Sequence, residues 1–247
     1  MTFFPWGILR YQMSKLSGLK NLPDCIAIDG PAASGKSTLG KLLADRLNYV
    51  FFDTGVMYRA ATLAAMKKNF DLANERNVTE LTQKIRIDVR QASVPDGRMN
   101  DVILDDEDVT WAIRDKEVER QVSPVSAYPG VRKELTGQQR RIGERGKVVM
   151  IGRDIGTVVM PSAGLKLFLE ASAEERAIRR MRELEARGDN ADYEEILKSM
   201  ILRDKIDSSR ETAPLKPASD AIIIKTDGMT LQQVFNLVMD LLNTNKE

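Results

Sequence analysis

The chain has 247 residues, 43% of them hydrophobic, and a formal net charge of +1. That length suits one large domain or one domain with an insert, and the charge balance gives no whole-surface attraction to nucleic acid or an anionic membrane. It contains no histidine and one cysteine, Cys25. This excludes histidine-dependent hydrolases, histidine metal sites and a disulfide framework, and it points to a reducing, cytoplasmic setting.

Residues 1–23 begin with a short, interrupted apolar stretch, Phe3-Phe4-Pro5-Trp6-Gly7-Ile8-Leu9, with no basic region before it. It fits a secretory signal poorly, and no run of 18 apolar residues anywhere in the chain offers a membrane span. Residues 1–23 are expected to lie outside the fold, with Met13 a candidate physiological start. Residues 25–29 form an apolar run that reads as a buried strand, with Cys25 a core residue rather than a nucleophile.

Residues 30–37 read G-P-A-A-S-G-K-S and fit the phosphate-loop pattern G-x-x-x-x-G-K-[ST]. Behind it, residues 38–47 carry Leu39, Leu42, Leu43 and Leu47 at helical spacing. Between a strand and a helix, the main chain from Gly30 through Pro31, Ala32, Ala33, Ser34, Gly35, Lys36 and Ser37 to Thr38 is expected to wrap the phosphates of a nucleoside triphosphate. Its N–H groups and the helix N-terminus supply positive potential there. Lys36 is expected to reach the β- and γ-phosphates and the Ser37 hydroxyl to ligate a magnesium ion. A plain glycine turn is the bland alternative.

Further apolar runs at 49–53, 147–151, 165–170 and 221–226 read as strands, with helical patterns at 56–67, 174–187 and 231–242. This alternation predicts a doubly wound α/β fold with a five-stranded parallel sheet whose ligand edge gathers the loops after the strands. The interval 80–128 breaks the rhythm. Residues 84–90 (K-I-R-I-D-V-R) alternate polar and apolar, and Val102-Ile103-Leu104 follows a P-D-G turn at 95–97, which predicts a small antiparallel sheet in an inserted subdomain.

Three groups lie on the expected ligand edge. Asp53-Thr54-Gly55 follows the second strand, with Tyr58-Arg59 one helical turn on; Arg59 can fork onto a phosphate and Thr54 can hydrogen-bond a ligand, although local capping would explain the same residues. Gly152-Arg153-Asp154 follows the third strand, placed for phosphate, magnesium or base contact, with a surface ion pair as the alternative. Arg176, Arg179 and Arg180 share one helix face, and Arg203, Asp207 and Arg210 are spaced i, i+4 and i+7, again as on one face. The arginine-rich segment could close over a transferring phosphoryl group, or be a solvated salt-bridged face. One nucleoside triphosphate does not need so many arginines, whereas a second phosphate-bearing substrate does. Phosphoryl transfer mainly requires positioning and charge neutralisation, so no histidine base is called for.

Together these features resemble the bacterial cytidylate kinases, the CMP/dCMP kinases among the P-loop nucleoside monophosphate kinases. The matching pieces are I-D-G-P-A-A-S-G-K-S-T at 28–38, D-T-G-V-M-Y-R at 53–59, Y-P-G-V-R at 128–132, G-R-D-I-G-T-V-V at 152–159, S-A-E-E-R-A-I-R-R-M at 172–181, R-D-K-I-D-S-S-R at 203–210 and A-P-L at 213–215. The resemblance implies transfer of the γ-phosphoryl group of ATP, with Mg2+, to CMP or dCMP. It implies a kinase core at 24–79 and 129–247 with a helical lid at about 174–190, and an inserted monophosphate-binding subdomain at 80–128. In that reading Arg59, Arg153 and Arg210 hold the CMP phosphate. Thr54, Arg132 and Asp154 read the cytosine edge beside Tyr58, and Ser123, Arg203 and Asp207 meet the sugar. Lys36, Arg153, Arg179 and Arg180 carry the chemistry. A monomer acting on small molecules, with no nucleic-acid or membrane partner, is expected. Thr54 stands where the family often has serine, and Ala32 and Ala33 fill positions where glycine or serine is more common.

Cytosine offers an amine donor beside ring acceptors, so a carboxylate with an arginine is its complement. Uracil would set an oxygen against the carboxylate at a cost of about 1–3 kcal/mol or more. Two alternatives stay open: a P-loop kinase for another monophosphate such as UMP, and a regulatory P-loop NTPase, although no N-K-x-D guanine motif is present.

Overall fold

The structure is a computed structural model that describes residues 22–186 and 188–244. Most of the expected extension, residues 1–21, and Arg187 at the end of the expected lid helix lie outside the described residues. Leu22 packs against the core and the Pro23 carbonyl accepts from the Tyr49 hydroxyl at 3.0 Å.

Five parallel strands form the main sheet: β1 (Cys25–Asp29), β2 (Val50–Asp53), β6 (Val148–Gly152), β7 (Leu165–Glu170) and β8 (Ile222–Lys225). Their order is β2-β6-β1-β7-β8. The chain therefore winds outward to both sides of β1, and such reversal points open a crevice at the strands' carboxyl ends. Residues alternate between the two faces, as the pleat requires. Cys25 and Ala27 of β1, Phe52 of β2, and Val148 and Met150 of β6 join one hydrophobic cluster. Ile26, Ile28, Phe51, Val149 and Ile151 join the other, under α1 (Lys36–Leu47) and α8 (Leu231–Thr244).

The first cluster also contains α2 (Gly55–Lys67), α3 (Glu75–Thr82), α4 (Lys116–Ala127) and α5 (Pro129–Gly143). It runs on into an antiparallel sheet of β3 (Ile87–Gln91), β4 (Asn100–Leu104) and β5 (Glu107–Asp108), ordered β3-β4-β5. Val89, Val102 and Leu104 share that core with Phe52 and Met57, so the small sheet is built onto the main one. The Asn100 side-chain amide also donates to the Phe51 carbonyl.

Several elements lie outside the expected set. Helix α3 starts at Asn74, whose side chain caps Asn77 N at 3.1 Å, and α4 starts at Asp115, which caps Glu117 N at 2.7 Å. Pro124 lies inside α4, and Pro129 opens α5 at a position where its missing N–H costs nothing. Strand β5 is two residues long and closes a tight hairpin in which Asp105 and Asp106 take positive φ (47° and 70°) in place of the usual Asn-Gly or Asp-Gly. On the lid side, α6 (Ala173–Ala186) packs against α7 (Tyr193–Ser209).

Candidate active site

The loop between β1 and α1 forms the floor of the site. Gly30 has φ +147°, and a Cβ there would lie 2.3 Å from the Leu169 carbonyl oxygen, so only glycine fits. Ala33 is left-handed (φ 57°), and Gly35 (φ 94°) delivers the chain into the first turn of α1. Ser37 and Thr38 are exposed at that helix start. Lys36 is buried, and its ammonium group donates to the Pro31 carbonyl and to Ser34 Oγ at 3.3 Å. Burial, and then the Arg153 charge, hold its pKa well below the usual lysine value, while Asp53 and Asp29 oppose the shift.

The turn after β6 holds Arg153 and Asp154 beside this loop. Arg153 Nη1 donates to the Gly30 carbonyl at 3.3 Å, and its Nε donates to Asp207 Oδ2 at 2.6 Å. Asp154 is buried and accepts from Arg132 Nη2 at 2.7 Å. Arg132, on α5, also donates to the Ser126 carbonyl at 3.0 Å and lies 5.4 Å from the centre of the Tyr58 ring. Burial pushes the Tyr58 hydroxyl up to about 12. The Arg132–Asp154 pair is buried and the Arg153–Asp207 pair half-buried, so neither is the surface pair that the spacing also allowed.

Arg203 and Asp207 share α7, but Arg210 is the C-cap of that helix in an extended conformation. It folds back so that its Nε donates to the Asp207 carbonyl at 3.3 Å. The expected single helix face therefore holds for two of the three residues. Burial works to raise the Asp207 pKa, but Arg153, Arg210 and Arg203 outweigh it and keep the carboxyl below its ordinary value. Arg132 Nε and Arg210 Nη2 are buried and have no hydrogen-bond partner among the described residues, although Arg210 Nη2 keeps an ion-pair contact with Asp207 Oδ1 at 3.4 Å. Buried donors of this kind are costly unless a ligand meets them.

Thr54 is buried and its hydroxyl donates to the Ile151 carbonyl at 3.0 Å. The local capping falls instead to Asp53, which accepts from Gly55 N at 2.9 Å. Arg59 makes a long 3.9 Å contact with Glu119 of α4. Ser123 is half-buried on α4, and its carbonyl accepts from Ser126 Oγ.

The three arginines of α6 diverge. Arg176 is buried and donates to the Ala32 carbonyl of the phosphate loop at 3.2 Å, to the Ala171 carbonyl and to Asp204 on α7. Arg179 donates to Thr226 Oγ1 and to the Thr226 carbonyl at 3.0 and 2.7 Å, and Arg180 pairs with Glu183. Asp29 and Arg176 emerge as site residues only in the structure. The carboxylate of Asp29 is 3% exposed, and it accepts from Ile155 N at 2.8 Å and Gly156 N at 2.7 Å. The available signal was an acidic residue ending an apolar strand directly before the loop motif.

The family model described as cytidylate kinase matches residues 26–244. A cytidylate kinase of Chloroflexus aggregans is 50% identical over 219 residues, covering 89% of this chain and 94% of that protein. One of Herpetosiphon aurantiacus is 47% identical over 225 residues, covering 91% and 96%. One of Bacillus velezensis is 46% identical over 216 residues, covering 87% and 95%.

Proposed function

The chain belongs to the cytidylate kinase family, and on that premise we propose how its residues divide the transfer of the γ-phosphoryl group of ATP to CMP or dCMP, with CDP or dCDP and ADP as products. It is a nucleoside monophosphate kinase, a phosphotransferase of a family that uses ATP as donor. The loop from Gly30 to Thr38 holds the ATP phosphates through its main-chain N–H groups. Lys36 exchanges the Pro31 carbonyl for β- and γ-oxygens, where a desolvated ammonium is strongly attractive to developing negative charge.

Arg59, Arg153 and Arg210 grip the CMP phosphate. Arg132 and Asp154, with Thr54 beside them and the Tyr58 ring against Arg132, read the cytosine edge. Ser123, Arg203 and Asp207 meet the sugar. The acceptor phosphate is ionised near neutral pH and needs no base. Arg179 and Arg180 neutralise the transferring group once the lid closes, and for that they must leave Thr226 and Glu183.

Among the described residues, no group of three or more His, Cys, Asp or Glu side chains could cage a metal. That fits Mg2+ carried mainly by phosphate oxygens and water, with the exposed Ser37 hydroxyl as its protein ligand. When bound, the ion neutralises charge on the β- and γ-phosphates.

We further read residues 80–128 as the acceptor-binding insert, 24–79 and 129–247 as the kinase core with its lid at about 174–190, and the protein as a cytoplasmic monomer that uses no nucleic acid or membrane. Cys25 is a buried free thiol that burial pushes up to about 12. No helix among the described residues is long and apolar enough to cross a membrane.

The observation that carries this reading is Arg132 Nε, a buried guanidinium donor without a hydrogen-bond partner among the described residues, in the cluster that touches the phosphate loop through Arg153. The test is an acceptor panel of CMP, dCMP, UMP and AMP with ATP and magnesium. CMP and dCMP should dominate at sub-saturating concentration. Equal rates with UMP would remove Arg132 and Asp154 as cytosine readers, and strong turnover without any acceptor would favour a regulatory NTPase.

A further inference from the structure

We propose that Asp29 is a positioning residue for the acceptor side of the site, fixing the turn that carries Arg153 and Asp154 and tying it to the phosphate loop. Residues Ile155–Val159 form a single π-helical turn, a rare element that leaves its first N–H groups without partners of its own. Asp29 supplies them: one carboxylate oxygen takes Ile155 N at 2.8 Å and the other takes Gly156 N at 2.7 Å. It can do so because it ends β1 in register with Gly152, the last residue of β6.

Its neighbour Gly30 receives Arg153 Nη1 at 3.3 Å. Three hydrogen bonds therefore join two successive residues at the mouth of the phosphate loop to residues 153–156. A shift of the donor loop displaces the acceptor turn with it.

Among the described residues no arginine or lysine donates a hydrogen bond to this carboxylate, and burial, with Asp154, pushes its pKa up to about 6 against the pull of the two N–H groups and of the Lys36 charge. A charge kept at such a cost is expected to have a use, and both its oxygens are spent on this turn. An asparagine would fit the space but would set an NH2 group against one of the two amides.

The proposal rests on the assignment of Arg153 and Asp154 to CMP, and Arg153→Ala in the full chain tests that assignment separately. Asp29→Asn, shown folded by its melting curve, should raise the KM for CMP about tenfold and the KM for ATP by less than about threefold. Its preference for CMP over UMP should narrow, and Ile155 and Gly156 should exchange their amide hydrogens faster. Asp29→Glu retains two acceptor oxygens and should recover part of the CMP affinity.

A folded Asp29→Asn enzyme whose two KM values move together, or not at all, overturns the proposal. Should Asp29→Asn fail to fold, Asp29→Glu is read by the same split, with equal shifts again refuting the idea. Should Arg153→Ala leave the KM for CMP unchanged, the acceptor assignment falls, and Asp29 is judged on the exchange of the two amides alone: unchanged rates in its variants overturn it, and faster rates sustain its hold on the turn.

Discussion

Breaking the Arg132–Asp154 pair should cost far more than removing it whole. The two groups meet at 2.7 Å with side chains only 4% and 7% exposed. Deleting one partner of such a pair leaves the other as an uncompensated buried charge, at a cost of about 3–5 kcal/mol. Arg132→Met also gives up the bond to the Ser126 carbonyl and the contact with the Tyr58 ring, so it belongs at the upper end of that range. At roughly 2–4 °C per kcal/mol for a chain of this size, each single variant should melt roughly 6–20 °C lower. The double variant Arg132→Met/Asp154→Leu removes both charges and fills the space with apolar atoms, so its cost should be about 0–2 kcal/mol. Urea unfolding of all four proteins completes the cycle, and the coupling should be at least about 4 kcal/mol in favour of the pair. Single variants that each cost under about 1 kcal/mol and simply add would refute the burial argument, because only a solvated pair behaves that way. All three variants should also lose their discrimination between CMP and UMP.

Lys36→Ala should cut kcat by about 10²–10³ through lost charge stabilisation. Its melting temperature should hold or rise, since burying the ammonium is itself unfavourable, and a collapse in melting experiments would make Lys36 structural. Arg59→Ala should raise the KM for CMP more than that for ATP. Its 3.9 Å contact with Glu119 is partly exposed and contributes under about 1 kcal/mol, so a large stability loss would contradict this placement. Asp29 has a folded pKa of about 6, above the usual carboxyl value, so the native state holds its proton more tightly than the unfolded chain does. The stability it contributes is therefore full below about pH 4 and is lost as pH rises through 6, by about 3 kcal/mol in all. Asp29→Asn should flatten that stretch of the stability–pH curve, and an unchanged slope would count against the burial effect. Gly30→Ala would place a methyl group 2.3 Å from the Leu169 carbonyl and should raise the KM for ATP with a loss of about 1–3 kcal/mol in urea unfolding.

Local chemistry was enough to read the central strands and the phosphate loop. Buried parallel strands are short apolar runs, and the expected 25–29 and 165–170 match β1 and β7 to the residue. The loop was legible because glycine and lysine at fixed spacing are needed wherever a backbone wraps phosphate. Helices α3 to α5 were not read although the signal was there: Val118, Val122 and Val125 of α4, and Val131, Leu135 and Ile142 of α5, stand at helical spacing and are buried, all but Val118 within the first cluster. Strand β5 was hidden because two aspartates, not glycine, make its turn.

The site divides the same way. Spacing along the chain could gather arginines and carboxylates near one edge, but it could not say which guanidinium meets which carboxylate. Arg132 finds Asp154 across 22 residues, Arg153 finds Asp207 across 54, and Asp29 reaches the Gly156 amide across 127. Arg176, Arg179 and Arg180 look equivalent on one helix face, yet one holds the phosphate loop, one the turn after β8 and one its own helix. Residue identity determined what chemistry was available. Which charge is buried against which, and which donors are left for a ligand, depends on strand order and helix packing, because pairing energies rise only where neighbouring elements exclude water.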